Sequence, residues 1–168
     1  MFLPIINGKN ITLELLAKDD LFYWLDNKRE AEILFGYRID VEEIKGPLLF
    51  AFKKKIENMN KDPGNEIWYS YFTIIYKGRI IGTIGPKGKP DSDKQIEIGF
   101  GIAEKYRNKG MATEAVGLFC DWYFKNTEID AILAETEKEN IPSQKVLQKN
   151  AFRKVIEKDN NILWKRKR

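Results

Sequence analysis

The 168 residues carry 29 basic and 25 acidic side chains, a net charge of +4, and no histidine. The length and a hydrophobic content of 43% are typical of one globular domain. Without histidine, Ser-His-Asp and Cys-His nucleophilic sites and the commonest zinc sites are excluded, and no metal is predicted. The sequence shows no signal-peptide pattern, no apolar run of ~20 residues and a single cysteine, Cys120. A cytoplasmic protein without a membrane segment is therefore predicted.

The charge is divided unevenly along the chain. Residues 1–66 hold 10 basic and 12 acidic side chains, whereas residues 67–168 hold 19 and 13. A basic second part suits an anionic ligand, and a slightly acidic first part suits a cationic one. Solvated charge without a partner explains the same counts equally well.

The first part of the chain predicts a strand followed by two helices. Residues 10–16 alternate apolar and polar side chains, which indicates a strand. Asp19 and Asp20 are expected to cap the first helix. The second helix is expected over residues 41–58, with Gly46 and the proline after it interrupting its early part.

The remainder predicts strands that alternate with two helices. In chain order the predicted elements are a hairpin of strands 68–76 and 79–84, a loop 85–93, a strand 94–102, a helix 110–125, a strand 129–136, a helix 140–149, and strands 152–157 and 162–166. No repeat and no linker interrupts this order. It predicts one α/β domain, residues 1–168, with a mixed, mostly antiparallel sheet flanked by helices.

The segment 95–115 carries the strongest chemical signal. Gly99 and Gly101 lie inside a strand, where glycine indicates either a bulge or a ligand close to the backbone. A basic loop, residues 105–109, then leads into the helix. Helix N-termini offer unpaired N–H groups and a partial positive charge, which favour phosphate binding.

Side chains in this loop support the same interpretation. Arg107 and Lys109 can add charge-assisted contacts to an anion. Gly110 lets the backbone approach closely, and Ala112 keeps the first helical turn small. The segment therefore predicts a pyrophosphate site.

The motif R-x-x-G-x-A at residues 107–112 resembles the acyl-CoA signature of the GNAT N-acetyltransferase superfamily. The runs 140–143 and 149–152 extend the resemblance, which covers about residues 65–160. It is closest to the branch of ribosomal-protein N-terminal and spermidine acetyltransferases, while residues 1–64 match only in general layout. The resemblance implies a GNAT-like acyl-CoA fold with a splayed strand pair at the coenzyme site. It also implies acetyl-CoA as cosubstrate and transfer of its acetyl group to a primary amine.

The resemblance also implies the residues that contact the cosubstrate. The strand contacts pantetheine, the loop and helix start contact the pyrophosphate, and the next helix adds two contacts. These residues are Phe100, Gly101, Ile102, Arg107, Asn108, Lys109, Gly110, Met111, Ala112, Thr113, Asn140 and Ser143. Asn140 can at the same time be a helix N-cap.

Two positions depart from the family pattern. Relatives usually have glycine where this chain has Asn150, and asparagine is expected to take the left-handed conformation there. Several relatives have a tyrosine that protonates the leaving thiolate where this chain has Leu147. In this chain either another group or solvent must protonate the thiolate, or the thiolate departs unprotonated, since its thiol has a pKa of about 8.5.

Two glutamates are candidates for the general base that deprotonates the amine, whose ammonium pKa is about 10.4. Glu97 matches an acidic position of spermidine-type relatives, and Glu135 matches the base position of N-terminal acetyltransferases. Each could instead be an exposed carboxylate paired with a lysine, and Glu97 is the favoured base. Cys120 is expected to be a buried small hydrophobe rather than an acetyl carrier.

The sequence is also compatible with two other functions. A non-catalytic CoA-binding protein is favoured by Leu147 alone, and a nucleic-acid-binding module by the basic residues 165–168. Nucleic acid is disfavoured because a charged chain end is usually only solvated. The acceptor is a small-molecule or peptide amine, and a homodimer is left open. Possible cleft residues, for which a core or surface role is equally plausible, are Trp24, Glu30, Glu32 and Tyr37.

Overall fold

A computed structural model describes residues 3–168. Its strands are β1 Ile5–Asn7, β2 Thr12–Leu15, β3 Arg38–Ile39, β4 Phe72–Tyr76, β5 Arg79–Pro86, β6 Gln95–Ile102, β7 Ala131–Glu137, β8 Arg153–Lys158 and β9 Asn161–Lys167. Its helices are α1 Lys18–Asp26, α2 Lys28–Phe35, α3 Gly46–Lys61, α4 Glu66–Tyr69, α5 Met111–Asn126 and α6 Ile141–Lys149, with a 3-10 turn at Glu104–Tyr106. None of the described helices is both long and apolar enough to cross a membrane.

All described strands belong to one sheet in the order β1-β2-β4-β5-β6-β7-β9-β8, with the short β3 beside β5. Only the β6–β7 and β3–β5 pairs are parallel, and the other pairs are antiparallel. The predicted mixed, mostly antiparallel sheet is confirmed.

The parallel pair β6–β7 separates partway along its length. The two strands pair from Gln95 opposite Ala131 to Ile98 opposite Ala134, and no further. Beyond this point β6 pairs only with β5 and β7 only with β9. The predicted splayed pair is confirmed. The ladders of β6 contain no register shift, so the glycines of this strand do not mark a bulge.

Helices cover both faces of the sheet because successive strand residues point to opposite sides. Ile81 belongs to the core beneath α5 and α6, whereas its neighbour Ile80 belongs to the core beneath α1, α2 and α3. The apolar side of α5 follows the helical period of three to four residues. Phe119 and Tyr123 stack there with ring centroids 4.3 Å apart.

The sequence missed several elements of the amino-terminal part. Strands β1 and β3 and the separate helix α2 were not predicted, and each of these strands spans at most three residues. Helix α3 begins at Gly46 rather than at position 41, because Gly46 has a positive φ of 56° and Pro47 fits the first turn. Trp68, predicted in a strand, lies in α4.

The start of α1 also differs from the prediction. The helix begins at Lys18, and its N-cap is Ala17 rather than an aspartate. The carboxylate of Asp20 instead reaches back and accepts a hydrogen bond of 2.7 Å from the N–H of Ala17. Asp20 therefore still satisfies an N–H group at this end, but from inside the helix.

The left-handed residue after α6 is Ala151 and not Asn150. Asn150 has a φ of −97°, while Ala151 has a φ of 62°. The Asn150 side chain bridges two helices, because its Nδ2 donates to the carbonyl oxygens of Thr113 at 3.0 Å and Val146 at 2.9 Å. The expectation for Asn150 was wrong by one position.

Candidate functional site

A cavity of about 460 Å³ lies between the free end of β6, the loop that follows it, and helix α6. Its walls contain all twelve residues that the sequence assigned to the cosubstrate. The lining residues are Phe100, Gly101, Ile102, Tyr106, Arg107, Asn108, Lys109, Gly110, Met111, Ala112, Thr113, Asn140, Pro142, Ser143, Lys145, Val146 and Lys149. The structure thus brings the predicted residues together, and their contact with acetyl-CoA stays a prediction.

The loop before α5 has the backbone of an anion site. Asn108 and Gly110 have positive φ angles of 60° and 78°, and Lys109 between them does not. Alternation of this kind turns successive N–H groups toward one side, forming a concave nest for an anion. Gly110 is also the N-cap of α5, and no side chain caps the helix in its place. The first-turn N–H groups therefore have no side-chain acceptor in the described chain.

The cavity is positively charged. Its lining contains four basic residues and, within the described chain, no acidic one; the basic residues are Arg107, Lys109, Lys145 and Lys149. The Arg107 guanidinium donates through Nε to the carbonyl of Ile102 at 3.2 Å. The Lys109 ammonium donates to the carbonyl of Lys105 at 2.9 Å. Both bonds leave further donor groups for an anion.

Asn140 caps α6 while it lines the cavity. Its Oδ1 accepts a hydrogen bond of 3.2 Å from the N–H of Ser143. The Asn140 side-chain NH2 has no partner among the described residues. The predicted N-cap is confirmed, and a donor remains that can face a ligand.

Two carboxylates of the amino-terminal half hold the 3-10 turn that precedes the loop before α5. The Asp40 carboxylate accepts hydrogen bonds from the Tyr106 hydroxyl and from Arg79 at 3.0 Å, and pairs with Lys105 at 3.0 Å. Burial alone would raise the pKa of Asp40, but these hydrogen bonds lower it to about 2. Glu42 accepts from the N–H of Glu104 at 3.1 Å.

Glu97 and Glu135 lie on either side of the strand separation. Glu97 is opposite Leu133, one residue before the last paired position, and Glu135 is one residue beyond it. Residues in register on paired strands share a face, so both glutamates lie on the face opposite the α5 core, which holds Ile98. Glu97 forms an ion pair with Lys87.

The surroundings of the two glutamates differ. The Glu97 side chain is only 34% exposed, whereas Glu135 is exposed. Glu135 accepts a hydrogen bond of 2.9 Å from Asn161 rather than from a lysine. The expected lysine pairing therefore holds for Glu97 alone.

Neither Leu147 nor Cys120 can supply acid–base chemistry. Leu147 is fully buried in the core beneath α5 and α6. Cys120 is also fully buried, and burial raises the pKa of its thiol to about 12. The prediction that Cys120 is a buried small hydrophobe is confirmed.

Most candidate acceptor-cleft residues have structural partners instead. Trp24 is buried and packs edge-to-face on Phe52. The Tyr37 hydroxyl donates to the Glu14 carboxylate at 2.9 Å. Glu32 accepts from the N–H of Ile39 at 2.8 Å. Glu30 is exposed on the first turn of α2.

The basic chain end is tied to the molecule. Arg166 pairs with Asp121 at 2.7 Å. The Arg168 guanidinium donates to the carbonyls of Thr127 at 2.6 Å and Ile129 at 3.0 Å, beyond the C-terminus of α5. Half of the tail charge therefore stabilises the end of α5, which weakens the nucleic-acid interpretation.

The sequence interpretation missed five lining residues. They are Tyr106, Pro142, Lys145, Val146 and Lys149. A usable signal existed for four of them, because positions 142, 145, 146 and 149 share one face of a helix. Tyr106 could not be found this way, since the 3-10 turn that positions it has no sequence period.

Sequence comparisons identify the family. The profile described as "Acetyltransferase (GNAT) domain" matches residues 11–153. The chain is 32% identical over 101 residues to the uncharacterized N-acetyltransferase YjdG of Bacillus subtilis (strain 168), which spans 60% of this chain and 59% of that protein. It is 30% identical over 132 residues to the uncharacterized N-acetyltransferase p20 of Bacillus licheniformis, covering 74% of each chain.

Solved structures share the fold over nearly the whole length. Ribosomal-protein-S5-alanine acetyltransferase from Vibrio fischeri aligns with a TM-score of 0.70 and 20% identity, over 98% of this chain and 96% of that one. RimL, a ribosomal L7/L12 alpha-N-protein acetyltransferase in complex with coenzyme A, aligns with a TM-score of 0.71 and 12% identity, over 98% of both chains. From the family match and the split sheet we conclude that this chain belongs to the GNAT acetyltransferase family.

Proposed function

We propose that this chain transfers the acetyl group of acetyl-CoA to a primary amine by direct attack of the amine on the thioester. The observation that carries the proposal is the basic cavity at the split between β6 and β7, around which the twelve assigned residues converge. The proposal treats residues 1–168 as one acetyltransferase domain, and the continuous sheet supports this.

The cavity suits the two chemical parts of the coenzyme. Its nest and uncapped helix N-terminus suit the pyrophosphate, with Arg107 and Lys109 adding charge. The end of β6, Phe100–Ile102, lacks a strand partner on the β7 side, so its main chain can pair with the amides of pantetheine. A Cβ placed on Gly99 or Gly101 would meet nothing within 4 Å, which leaves this surface open.

Glu97 acts as the general base in this proposal. Its carboxylate already holds the ammonium of Lys87, the same chemical group as a protonated acceptor amine. It lies beside the strand separation and is more protected from water than Glu135. An acceptor ammonium that replaces Lys87 can therefore pass its proton to Glu97, directly or through a water.

The reaction exchanges one bond for another. The amine nitrogen forms a bond to the thioester carbon, the C–S bond breaks, and the sulfur departs with the electron pair. The acceptor ammonium gives one proton to Glu97 before the attack, and the nitrogen releases a second proton to solvent as the amide forms. Leu147 has no acidic proton to donate to the thiolate. The thiolate therefore either takes a proton from solvent or departs unprotonated, which a thiol pKa of about 8.5 allows.

A second candidate is a protein that binds CoA without catalysis. The observation that favours it is Leu147, which is buried and has no acidic proton. The two candidates make the same prediction for coenzyme binding and opposite ones for turnover.

The decisive experiment measures release of CoA thiol from acetyl-CoA in the presence of amines. The panel should hold polyamines, amino acids, aminoglycosides, and peptides with N-terminal alanine or serine. The peptides are included because two structurally similar proteins are named as a ribosomal-protein-S5-alanine acetyltransferase and a putative ribosomal-protein-serine acetyltransferase. Amine-dependent thiol release that is lost in Glu97→Gln supports the proposal. Tight acetyl-CoA binding with no amine-dependent release from any class favours the non-catalytic protein instead.

A further inference from the structure

Two lysines on α6 line the cavity opposite the phosphate loop. Lys145 and Lys149 are four residues apart, so they are neighbours on one face of the helix. Neither ammonium has a carboxylate within ion-pair distance in the part of the chain that the structure describes. Their positive charge is therefore available to a ligand in the cavity.

The last turn of α6 lies directly against the first turn of α5. Asn150, which follows Lys149, donates from its side chain to the carbonyl of Thr113 at 3.0 Å. Thr113 belongs to the helix start that is assigned to the pyrophosphate. Lys149 therefore adjoins the phosphate site and adds a second basic wall to the same cavity.

This geometry divides the cationic groups into two sets. One set, with Arg107 and Lys109, lies on the loop before α5, and the other, with Lys145 and Lys149, lies across the cavity on α6. A pyrophosphate on the first set leaves the second set free for another phosphate nearby. In CoA, such a phosphate is carried at the 3′ position of the ribose to which the pyrophosphate is joined.

We infer that Lys145 and Lys149 bind the 3′-phosphate of coenzyme A and make the protein select CoA over dephospho-CoA. The inference rests on the proposed function, since it needs the coenzyme in this cavity. It adds a specificity that the loop cannot supply, because dephospho-CoA keeps the pyrophosphate and the pantetheine.

The test compares the binding of CoA and dephospho-CoA by calorimetry. We expect the wild-type chain to bind CoA about tenfold more tightly than dephospho-CoA, since the 3′-phosphate gains charge-assisted contacts. The double variant Lys145→Gln/Lys149→Gln should lose most of this preference. It should weaken CoA binding about tenfold and change the Kd for dephospho-CoA less than threefold.

The matched control removes the same charge elsewhere. Lys154 and Lys158 are also four residues apart, on the exposed strand β8, and neither lines the cavity. The variant Lys154→Gln/Lys158→Gln should keep the preference for CoA. If it loses as much preference as the α6 variant, general attraction explains the result and the inference is overturned.

Two further outcomes separate this inference from the proposed function. If the wild-type chain binds CoA and dephospho-CoA equally well, the inference is wrong and the acetyltransferase proposal stands. If neither compound binds, the proposed function fails and this inference fails with it. The preference of the wild-type chain is informative by itself, so the test does not depend on the variants being stable.

Discussion

Two regions of the molecule differ in how their notable residues are distributed along the chain. They are the region that forms the cavity, residues 95–153, and the amino-terminal region, residues 3–66. In the cavity region the assigned residues form short continuous runs, and many of them contribute main-chain groups. In the amino-terminal region the notable side chains have partners far along the chain, such as Asp40 with Tyr106. Several large apolar side chains there are more than half exposed, namely Ile5, Phe22, Ile33, Leu34 and Phe50.

The difference shows which kinds of site a sequence can reveal. A site built from a strand end and a helix start needs only residues that are close in sequence, so its pattern is visible as a motif. A site built from side chains on several helices depends on packing angles that no short pattern encodes. Variants in the two regions can therefore test whether function depends on the residues that are close in sequence.

The largest effect is expected for the base at the strand separation. Glu97→Gln should lower kcat at least 100-fold, because the variant cannot take the proton from the acceptor ammonium. The Kd for acetyl-CoA should stay the same, since Glu97 does not line the cavity. Steady-state kinetics from pH 6 to 9, combined with calorimetry, measures both quantities.

Glu135→Gln provides the matched control for this variant. Glu135 is exposed and already accepts from Asn161, so its loss should change kcat less than threefold. An unchanged kcat of Glu97→Gln over the whole pH range would remove Glu97 as the base. A large loss of kcat in Glu135→Gln, with none in Glu97→Gln, would identify Glu135 as the general base.

A second test addresses the amino-terminal region through Lys55, the charged side chain that is buried in the described core. Burial, with a smaller effect of Lys87, lowers the pKa of Lys55 to about 7. Its ammonium donates to the carbonyl of Pro86 and lies 4.2 Å from the centre of the Tyr71 ring. Burying this charge is costly, and no local sequence pattern in α3 predicts that Lys55 is buried.

The sign of the pH dependence follows from the lowered pKa. Above pH 7 the unfolded chain binds a proton on Lys55 that the folded chain releases, so the free energy of unfolding rises with pH. From pH 7 to 8.5 the gain should be about 1.5 kcal/mol, and Lys55→Met should remove it. The window ends there because the Cys120 thiol, whose pKa burial raises to about 12, offsets the gain from Lys55 above about pH 9. Urea unfolding of both proteins at several pH values measures the slopes, and equal slopes would contradict the prediction.

The sequence predicted the cavity residues but not the details that depend on tertiary contacts. The loop at Gly110 could be predicted because its backbone geometry and its charge both come from residues that are adjacent in sequence. Lys145 and Lys149 were overlooked because the helix was interpreted through its inward face. The short strands β1 and β3 were missed because two or three residues carry no period, and their pairing partners are distant.

A third test returns to the phosphate loop. Arg107→Ala should raise the Kd for acetyl-CoA about tenfold, because a charge-assisted contact to the pyrophosphate is lost. Arg153→Ala is the control, since Arg153 is exposed on β8 and does not line the cavity. Calorimetry measures both, and an unaltered Kd in Arg107→Ala would withdraw the assignment of this loop to the pyrophosphate.

The smallest effect concerns the end of α6, where the family resemblance pointed to the wrong residue. Ala151 has a φ of 62°, a conformation that costs an alanine about 1 kcal/mol and costs glycine little. Ala151→Gly should therefore raise the free energy of unfolding by about 1 kcal/mol, or Tm by about 3 °C. Asn150→Gly should do the opposite, because it removes the bonds to Thr113 and Val146. If Asn150→Gly were instead the stabilising change, the left-handed residue would be Asn150, as expected from the sequence, and not Ala151.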